Sequence, residues 1–248
     1  MLLTMKAVNE SARALAVWTA MELDTAEKHA DPERREEAED LVALLTPILK
    51  SWFTDAGFAA ANLGVQVMGG HGYIREHGME QLVRDARITQ LYEGANGIQA
   101  LDLVGRKLPT HMGRLLRRFF HPVSAFIEQQ ATDAAMAEFV LPLAKAFGKL
   151  QQATAHIAQV GLRDPDEAGA AASDYLKLFA LTASAFMWAK TAKVALPKAE
   201  SGDETRFYKA KLATARFFVA RLLPETSSLL TVITSGAKPL MALEAEAF

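Results

Sequence analysis

Leu91-Tyr92-Glu93-Gly94-Ala95-Asn96-Gly97-Ile98-Gln99 interrupts a chain that otherwise reads as helix on either side of it. The stretch sets one carboxylate between an aromatic ring and a glycine. Residues 79–90, just before it, repeat their apolar positions with a helical period. Residues 97–108 do the same just after it, until Pro109 ends the pattern. Residues 92–96 are therefore expected as a turn between two helices. Strand-like alternation is scarce throughout the 248 residues, which predicts an all-α fold.

The same period extends outward. In residues 2–29, Leu2, Met5, Val8, Ala12, Leu15, Trp18 and Met21 fall on one stripe, as on an amphipathic helix. Asp31-Pro32-Glu33 then spells a helix start: an N-cap acid, a proline whose missing N–H costs nothing there, and further acid at the positive end of the helix dipole. A second long helix is expected over 33–64, with Pro47 as a candidate kink. Gly64, Gly69, Gly70, Gly72 and Gly78 lie within 15 residues and predict loops and short helices.

Beyond residue 113, Ala, Leu, Phe and Lys become frequent, and helices are expected over 113–130, 133–162, 168–196 and 203–234. Their punctuation is Asp133, Arg163-Asp164-Pro165-Asp166 and Ser201-Gly202-Asp203. Four amphipathic helices with short connections suggest an antiparallel bundle. Phe119, Phe120, Phe126, Phe179, Phe186, Trp188, Phe217 and Phe218 keep helical spacings and read as its core. Residues 236–248 are expected to be irregular.

Composition narrows the function classes. Hydrophobic residues make up 50% of the chain, enough for a sizeable core, and 27 basic residues nearly balance 29 acidic ones. The balance is uneven: 11 basic and 16 acidic residues fall in 1–112, against 16 and 13 in 113–248. This split favours two regions in electrostatic contact. No nucleic-acid partner is expected, although Arg106, Lys107, Arg114, Arg117 and Arg118 form a basic stretch that could meet phosphates of CoA or nucleic acid. The simpler reading is a helix face answering the acidic first region. The chain has no cysteine, which removes disulfides and thiolate metal sites and fits a cytoplasmic location. The six histidines lack zinc-binding spacing, so no metal is expected. Neither a secretory signal nor a membrane span is legible.

Three segments carry a more specific message: Tyr92-Glu93-Gly94, Gln66-Val67-Met68-Gly69-Gly70-His71-Gly72-Tyr73 and Arg84-Asp85-Ala86-Arg87-Ile88. Singly, each has an ordinary reading: an exposed carboxylate, a helix end with its turn, and a solvated charge cluster. In register, they resemble the carboxy-terminal part of the acyl-CoA dehydrogenases, flavoenzymes that desaturate acyl thioesters. The resemblance is specific over residues 62–108 and general for 113–248. It implies that Glu93 is the base that removes the α-proton, with Tyr92 and Gly94 lining the acyl pocket. It also implies that Gln66, Gly69 and Gly70 approach the adenosine and diphosphate portion of FAD, held mainly by a neighbouring subunit. Arg84-Asp85-Ala86-Arg87 would fix the turn through an ion-pair and helix-end network.

Elementary chemistry agrees with this assignment. The α-proton of a thioester is barely acidic in water, so the base must be a carboxylate held at reacting distance where solvent is excluded. A glycine beside it admits close approach of backbone to substrate. One departure stands out: Ala95 and Gly97 occupy positions where many members have Thr and a second polar residue that contact FAD, leaving Asn96 or backbone groups to substitute. Glu-Gly-Ala-Asn-Gly-Ile-Gln resembles a longer bacterial branch with an extra helical domain, which includes the 3-methylthiopropanoyl-CoA dehydrogenases.

The expectation is thus an up-and-down helical bundle of the acyl-CoA dehydrogenase C-terminal kind over 1–112, followed by a second antiparallel helical bundle over 113–248. The resemblance implies FAD as cofactor, an acyl-CoA as substrate, electron-transfer flavoprotein or a similar acceptor as partner, and a homodimer or higher oligomer. Family enzymes also have an amino-terminal helical domain and a middle β-domain. The chain therefore reads as a carboxy-terminal piece that binds FAD weakly and turns over nothing alone. Two rival readings are a non-catalytic helical oligomerisation module and a nucleic-acid-associated homologue of the superfamily.

Overall fold

Two Asp-Pro-acid sequences start the two longest helices. Asp31 accepts the Glu33 backbone N–H at 3.0 Å and opens Pro32–Met68. Asp164 accepts the Asp166 N–H at the same distance and opens Pro165–Lys198. In each, the proline occupies the first turn, where no intrahelical partner awaits its missing N–H. The second helix thus begins three residues ahead of the expected 168, for the reason that places the first.

The computed structural model describes residues 1–200 and 204–247, and all regular structure among them is helical. The expected break at Ser201-Gly202-Asp203 lies outside the described residues. Helices α1 (Leu2–Lys28) and α2 (Pro32–Met68) form a long hairpin across a three-residue link. Pro47 sits inside α2 without ending it. Short helices α3 (Gly70–Tyr73) and α4 (Met79–Ile88) fold back on α2, with Gly64 admitting the Met79 side chain. Helix α5 (Asn96–Asp102) runs into a π-helical turn, Leu103–Lys107, in which the Leu108 N–H reaches the Leu103 carbonyl at 3.0 Å.

The later helices are α6 (Arg114–Gln130), α7 (Ala137–Gly161), α8 (Pro165–Lys198), α9 (Thr205–Phe217) and α10 (Glu225–Ile233). The helix expected over 203–234 is split by a π-helical turn, Phe218–Leu222, and by Pro224, which caps α10 and cannot donate within a continuous helix. Beyond Gly236, among the described residues, only a short 3-10 turn, Ala245–Ala247, is regular.

Helix α8 departs from the amphipathic pattern. Every residue from Leu178 to Ala189 is buried, because α8 packs against α1, α2 and α5 as well as against α7, α9 and α10. A helix covered on all sides needs no polar face. One continuous core results. Phe119 of α6 stacks on Phe179 of α8 with ring centroids 4.6 Å apart, and Trp18 of α1 meets Phe186 edge-on at 5.8 Å.

The stripe on α1 is rotated from expectation. Ala7, Ser11 and Leu15 form the buried line, whereas Leu2 and Met21 are exposed. Small residues win because they admit α8: the Trp188 indole N–H donates to the Ala7 carbonyl at 3.2 Å. The acidic and basic regions also meet directly. Arg114 pairs with Glu36 at 2.8 Å and with buried Asp40 at 2.9 Å, and Arg118 bonds Glu37 at 2.8 Å.

Candidate active site

The turn containing Glu93 is built on the start of α5. The Gln99 N–H bonds the Ala95 carbonyl at 3.1 Å, while the Asn96 N–H reaches back to the Gln90 carbonyl at 3.2 Å and closes the loop. Between these anchors the backbone passes through the left-handed region twice, at Glu93 (φ 56°) and Gly94 (φ 81°). Glycine adopts it freely; a glutamate there costs roughly 1–2 kcal/mol. The turn presents Tyr92 and Glu93 outward, both exposed, and no side-chain partner reaches the Glu93 carboxylate among the described residues.

Asn96, expected as a cofactor contact, has its side chain bonded within the chain. Its amide oxygen accepts from Lys50 Nζ at 2.8 Å and Thr54 Oγ1 at 3.2 Å. Its amide nitrogen donates to Asp55 Oδ1 at 2.7 Å and Thr54 Oγ1 at 2.9 Å. Both amide hydrogens and the oxygen are thus engaged by α2, and the side chain clamps the turn to that helix. Gln90 adds a second donor to the same Asp55 oxygen at 2.6 Å and accepts from Arg87 at 2.8 Å. The network expected of Arg84-Asp85-Ala86-Arg87 therefore exists through Arg87, as hydrogen bonds and a guanidinium lying 5.9 Å over the Phe58 ring, not as a pair with a carboxylate.

Gln66, Gly69 and Gly70 lie together at the exposed end of α2. Gly69 has φ 59° and ψ −142°, a combination suited to glycine, and its N–H bonds the Gln66 carbonyl at 3.2 Å. A Cβ on either glycine would meet nothing within 4 Å, so the backbone is open to a ligand. This fits the approach of a diphosphate-containing cofactor to bare backbone. His71, beside them, contacts the His77 ring nitrogen at 3.2 Å. Among the described residues no group of acidic or histidine side chains is arranged to hold a metal ion.

A cleft of about 510 Å³ opens between α1, α2, α5, α8 and α10. Asn96, Asp55 and Gln90 line it, but Glu93 does not. On its far wall, burial raises the Asp174 carboxyl above the ordinary range, opposed by Lys177 and reinforced by Glu225. The Glu93 turn therefore faces outward beside this cleft, and the carboxylates that line the cleft are Asp55, Asp174 and Glu225.

Residues 1–108 match the family described as acyl-CoA dehydrogenase, C-terminal domain, and residues 119–244 match acetyl-CoA dehydrogenase C-terminal like. The chain belongs to the acyl-CoA dehydrogenase family. It is 36% identical over 242 residues to a 3-methylmercaptopropionyl-CoA dehydrogenase of Ruegeria pomeroyi, covering 97% of itself and 41% of that protein. It is 31% identical over 238 residues to a butyryl-CoA dehydrogenase of Syntrophomonas wolfei, covering 91% of itself and 37% of the relative. The chain thus spans about two fifths of the length of these relatives. Among solved structures, ACDH-11 of Caenorhabditis elegans in complex with C11-CoA superposes with a TM-score of 0.74 at 16% identity, over 96% of this chain and 37% of that one. The acyl-CoA dehydrogenase of Bacillus anthracis complexed with FAD gives 0.69 at 19% identity, over 98% and 42%. At these identities the likeness speaks for the fold alone.

The fold expected of an acyl-CoA dehydrogenase C-terminal region, all-α and bundled, is the one observed. Two features were missed. Gln99 stood within the decisive stretch yet showed no sign of its bond to the turn. Lys50 and Asp55 lie more than 40 residues away in sequence and gave no signal at all. Two residues of the basic stretch, Arg114 and Arg118, are engaged in ion pairs with α2. Among the described residues no helix is long and apolar enough to cross a membrane.

Proposed function

We propose that this chain forms one wall of the active site of a dehydrogenase that introduces an α,β double bond into an acyl-CoA thioester, with Glu93 as the base. The observation that carries the reading is the Tyr92-Glu93-Gly94 turn, which displays a carboxylate without a partner among the described residues in a chain of this family. A Glu93 oxygen takes the α-proton as the C–H bond breaks, and the freed pair forms the double bond while hydride leaves the β-carbon. FAD, when bound, accepts that hydride. Gly94 permits the thioester to approach the backbone, and Tyr92 lines the acyl pocket. Gln66, Gly69 and Gly70 meet the adenosine diphosphate portion of the cofactor through exposed backbone. Asn96 serves the turn.

Glu93 is exposed here, so the water exclusion that raises a carboxylate's basicity must come from what closes over it, the acyl chain included. On this reading residues 1–112 are the FAD-side helical domain, and 113–248 are an appended bundle that braces it. Its partners are an acyl-CoA, electron-transfer flavoprotein or a similar acceptor, and further copies of itself. The isolated chain binds FAD weakly and is inactive; a tightly flavinylated, active preparation of residues 1–248 contradicts this.

The test of the base is Glu93→Gln in flavin-loaded protein carrying this chain. Anaerobic addition of acyl-CoA is expected to leave the variant yellow while wild type bleaches. Bleaching at the wild-type rate removes Glu93 from the role.

A further inference from the structure

We infer that Gln99 and the chain Lys50–Asn96–Asp55–Gln90 are positioning residues that hold Glu93 in its left-handed conformation; this rests on the reading of Glu93 as base. The Gln99 side chain reaches back over the start of α5, and its Nε2 donates to the Glu93 carbonyl at 3.0 Å and to the Gly94 carbonyl at 3.5 Å. Two successive left-handed residues turn their carbonyls toward one donor, and Gln99 supplies it.

Residues 94 and 99 are matched to each other. A Cβ at position 94 would stand 2.7 Å from Gln99 Nε2, so a side chain there would push the amide from its present place over the turn. Glycine at 94 is required by its φ and leaves the Gln99 amide room to bond the turn.

The second attachment is independent of the first. Gln90 and Asn96 flank the turn, and both side-chain amides end on one Asp55 oxygen, at 2.6 and 2.7 Å. Lys50 holds the other end of the Asn96 amide at 2.8 Å. These contacts hold the turn through its backbone and flanks, and none touches the Glu93 carboxylate. That division suits a base, whose oxygens must remain free while its origin stays fixed.

The experiment pairs two readouts. In the 248-residue chain, a positive φ at Glu93 places its amide and α-hydrogens close together and gives a strong intraresidue cross-peak by nuclear magnetic resonance. Gln99→Glu keeps the size of the side chain but replaces its donor with an acceptor facing two carbonyls. The cross-peak at Glu93 is expected to weaken in Gln99→Glu and in Asn96→Ala, with the melting midpoint unchanged for Gln99→Glu. A persistent strong cross-peak in both variants overturns the assignment.

In flavin-loaded protein, Gln99→Glu is expected to lower kcat by roughly 10- to 100-fold with little change in KM. Glu93→Gln is run beside it. If Glu93→Gln is inert and Gln99→Glu retains full kcat, positioning fails while the base stands. If Glu93→Gln still bleaches normally, the base reading fails, and the cross-peak alone decides whether Gln99 shapes the turn.

Discussion

The indole N–H of Trp188 donates to the carbonyl oxygen of Ala7 at 3.2 Å, joining residues 181 positions apart in the middle of the core. Ala7 is fully buried and Trp188 almost so. The bond explains why α1 presents a line of small residues to α8. A larger side chain at position 7 or 11 would lift α8 from α1 and leave the indole without an acceptor. Trp188→Phe is expected to cost about 1 kcal/mol, because the Ala7 carbonyl keeps its bond from Ser11 Oγ at 3.0 Å. Trp188→Ala adds a cavity and should cost about 3–5 kcal/mol. Urea unfolding of the two variants measures the difference, and equal losses would mean that the bond, not the buried ring, dominates.

Asp40 is a buried carboxylate shared by two arginines of α6, with Arg114 Nε at 2.9 Å and Arg118 Nε at 3.3 Å. Removing it takes the shared carboxylate from both guanidinium groups and leaves Arg114 with Glu36 and Arg118 with Glu37 alone. Asp40→Ala is expected to lower the melting midpoint by about 4–8 °C, and salt should restore little of it because the carboxylate is shielded. Glu36→Ala, at the exposed rim, should move the midpoint by less than about 2 °C. Scanning calorimetry of both variants orders them, and the reverse order sinks the account.

Gly64 and Gly72 are both small where helices meet, but for different reasons. A Cβ at Gly64 meets only the flexible Met79 side chain, which can swing aside. Alanine is also the better helix former by about 1 kcal/mol, so Gly64→Ala should be near neutral. A Cβ at Gly72 meets the Val65 carbonyl oxygen at 2.5 Å, a backbone atom that cannot yield cheaply. Gly72→Ala should cost about 1–3 kcal/mol and expose residues 69–78 to protease. Limited proteolysis followed by mass spectrometry reads both effects.

Stability should respond to pH with opposite signs at the two extremes. Burial pushes the Tyr175 hydroxyl well above its ordinary 10.0, although its bond with Thr154 at 2.7 Å opposes this. The folded state keeps the proton longer than the unfolded state, so this contribution is complete below about pH 10 and is lost as pH rises toward the folded value. Tyr175→Phe removes the loss and should shift alkaline unfolding upward. Thr154 still donates to the Leu150 carbonyl at 2.7 Å, so the variant should fold.

Glu10 and Glu138 run the other way. Burial works against ionising Glu10, but the bonds from Lys6 and Lys211 outweigh it; Arg216 holds Glu138 low directly. Their contribution is present above the ordinary carboxylate value near 4.5 and is lost as pH falls through their depressed folded values. Glu138→Gln should therefore flatten the acid limb of a pH–stability curve measured by urea unfolding; an unchanged limb rejects the Arg216 assignment.

Contacts between neighbours in the sequence are legible in it, and contacts made by docking are not. The helix at Asp31-Pro32-Glu33 was readable because capping is a contact between neighbours in sequence, made through Asp31 and the Glu33 N–H. The same chemistry at Asp164-Pro165-Asp166 starts α8 three residues ahead of the expected 168. The rotated stripe on α1 was not readable, because hydrophobicity favours Leu2 and Met21, and only the arrival of Trp188 makes Ala7 and Ser11 the buried line. The π-helical turns at Leu103–Lys107 and Phe218–Leu222 likewise follow from packing and leave no local mark.

At the candidate site the division is the same. Local chemistry is enough to mark residues 92–96 as a turn, to require glycine beside the carboxylate, and to place helices before and after it. Which side chains grip that turn was settled only in three dimensions, where Lys50 and Asp55 of α2 come within hydrogen-bond distance of Asn96. Hydrogen bonds across more than 40 residues depend on how two helices dock, and docking is chosen by the whole core. Turn, caps and helical periods answer to neighbouring residues; the orientation of Glu93 answers to the packing of α5 on α2.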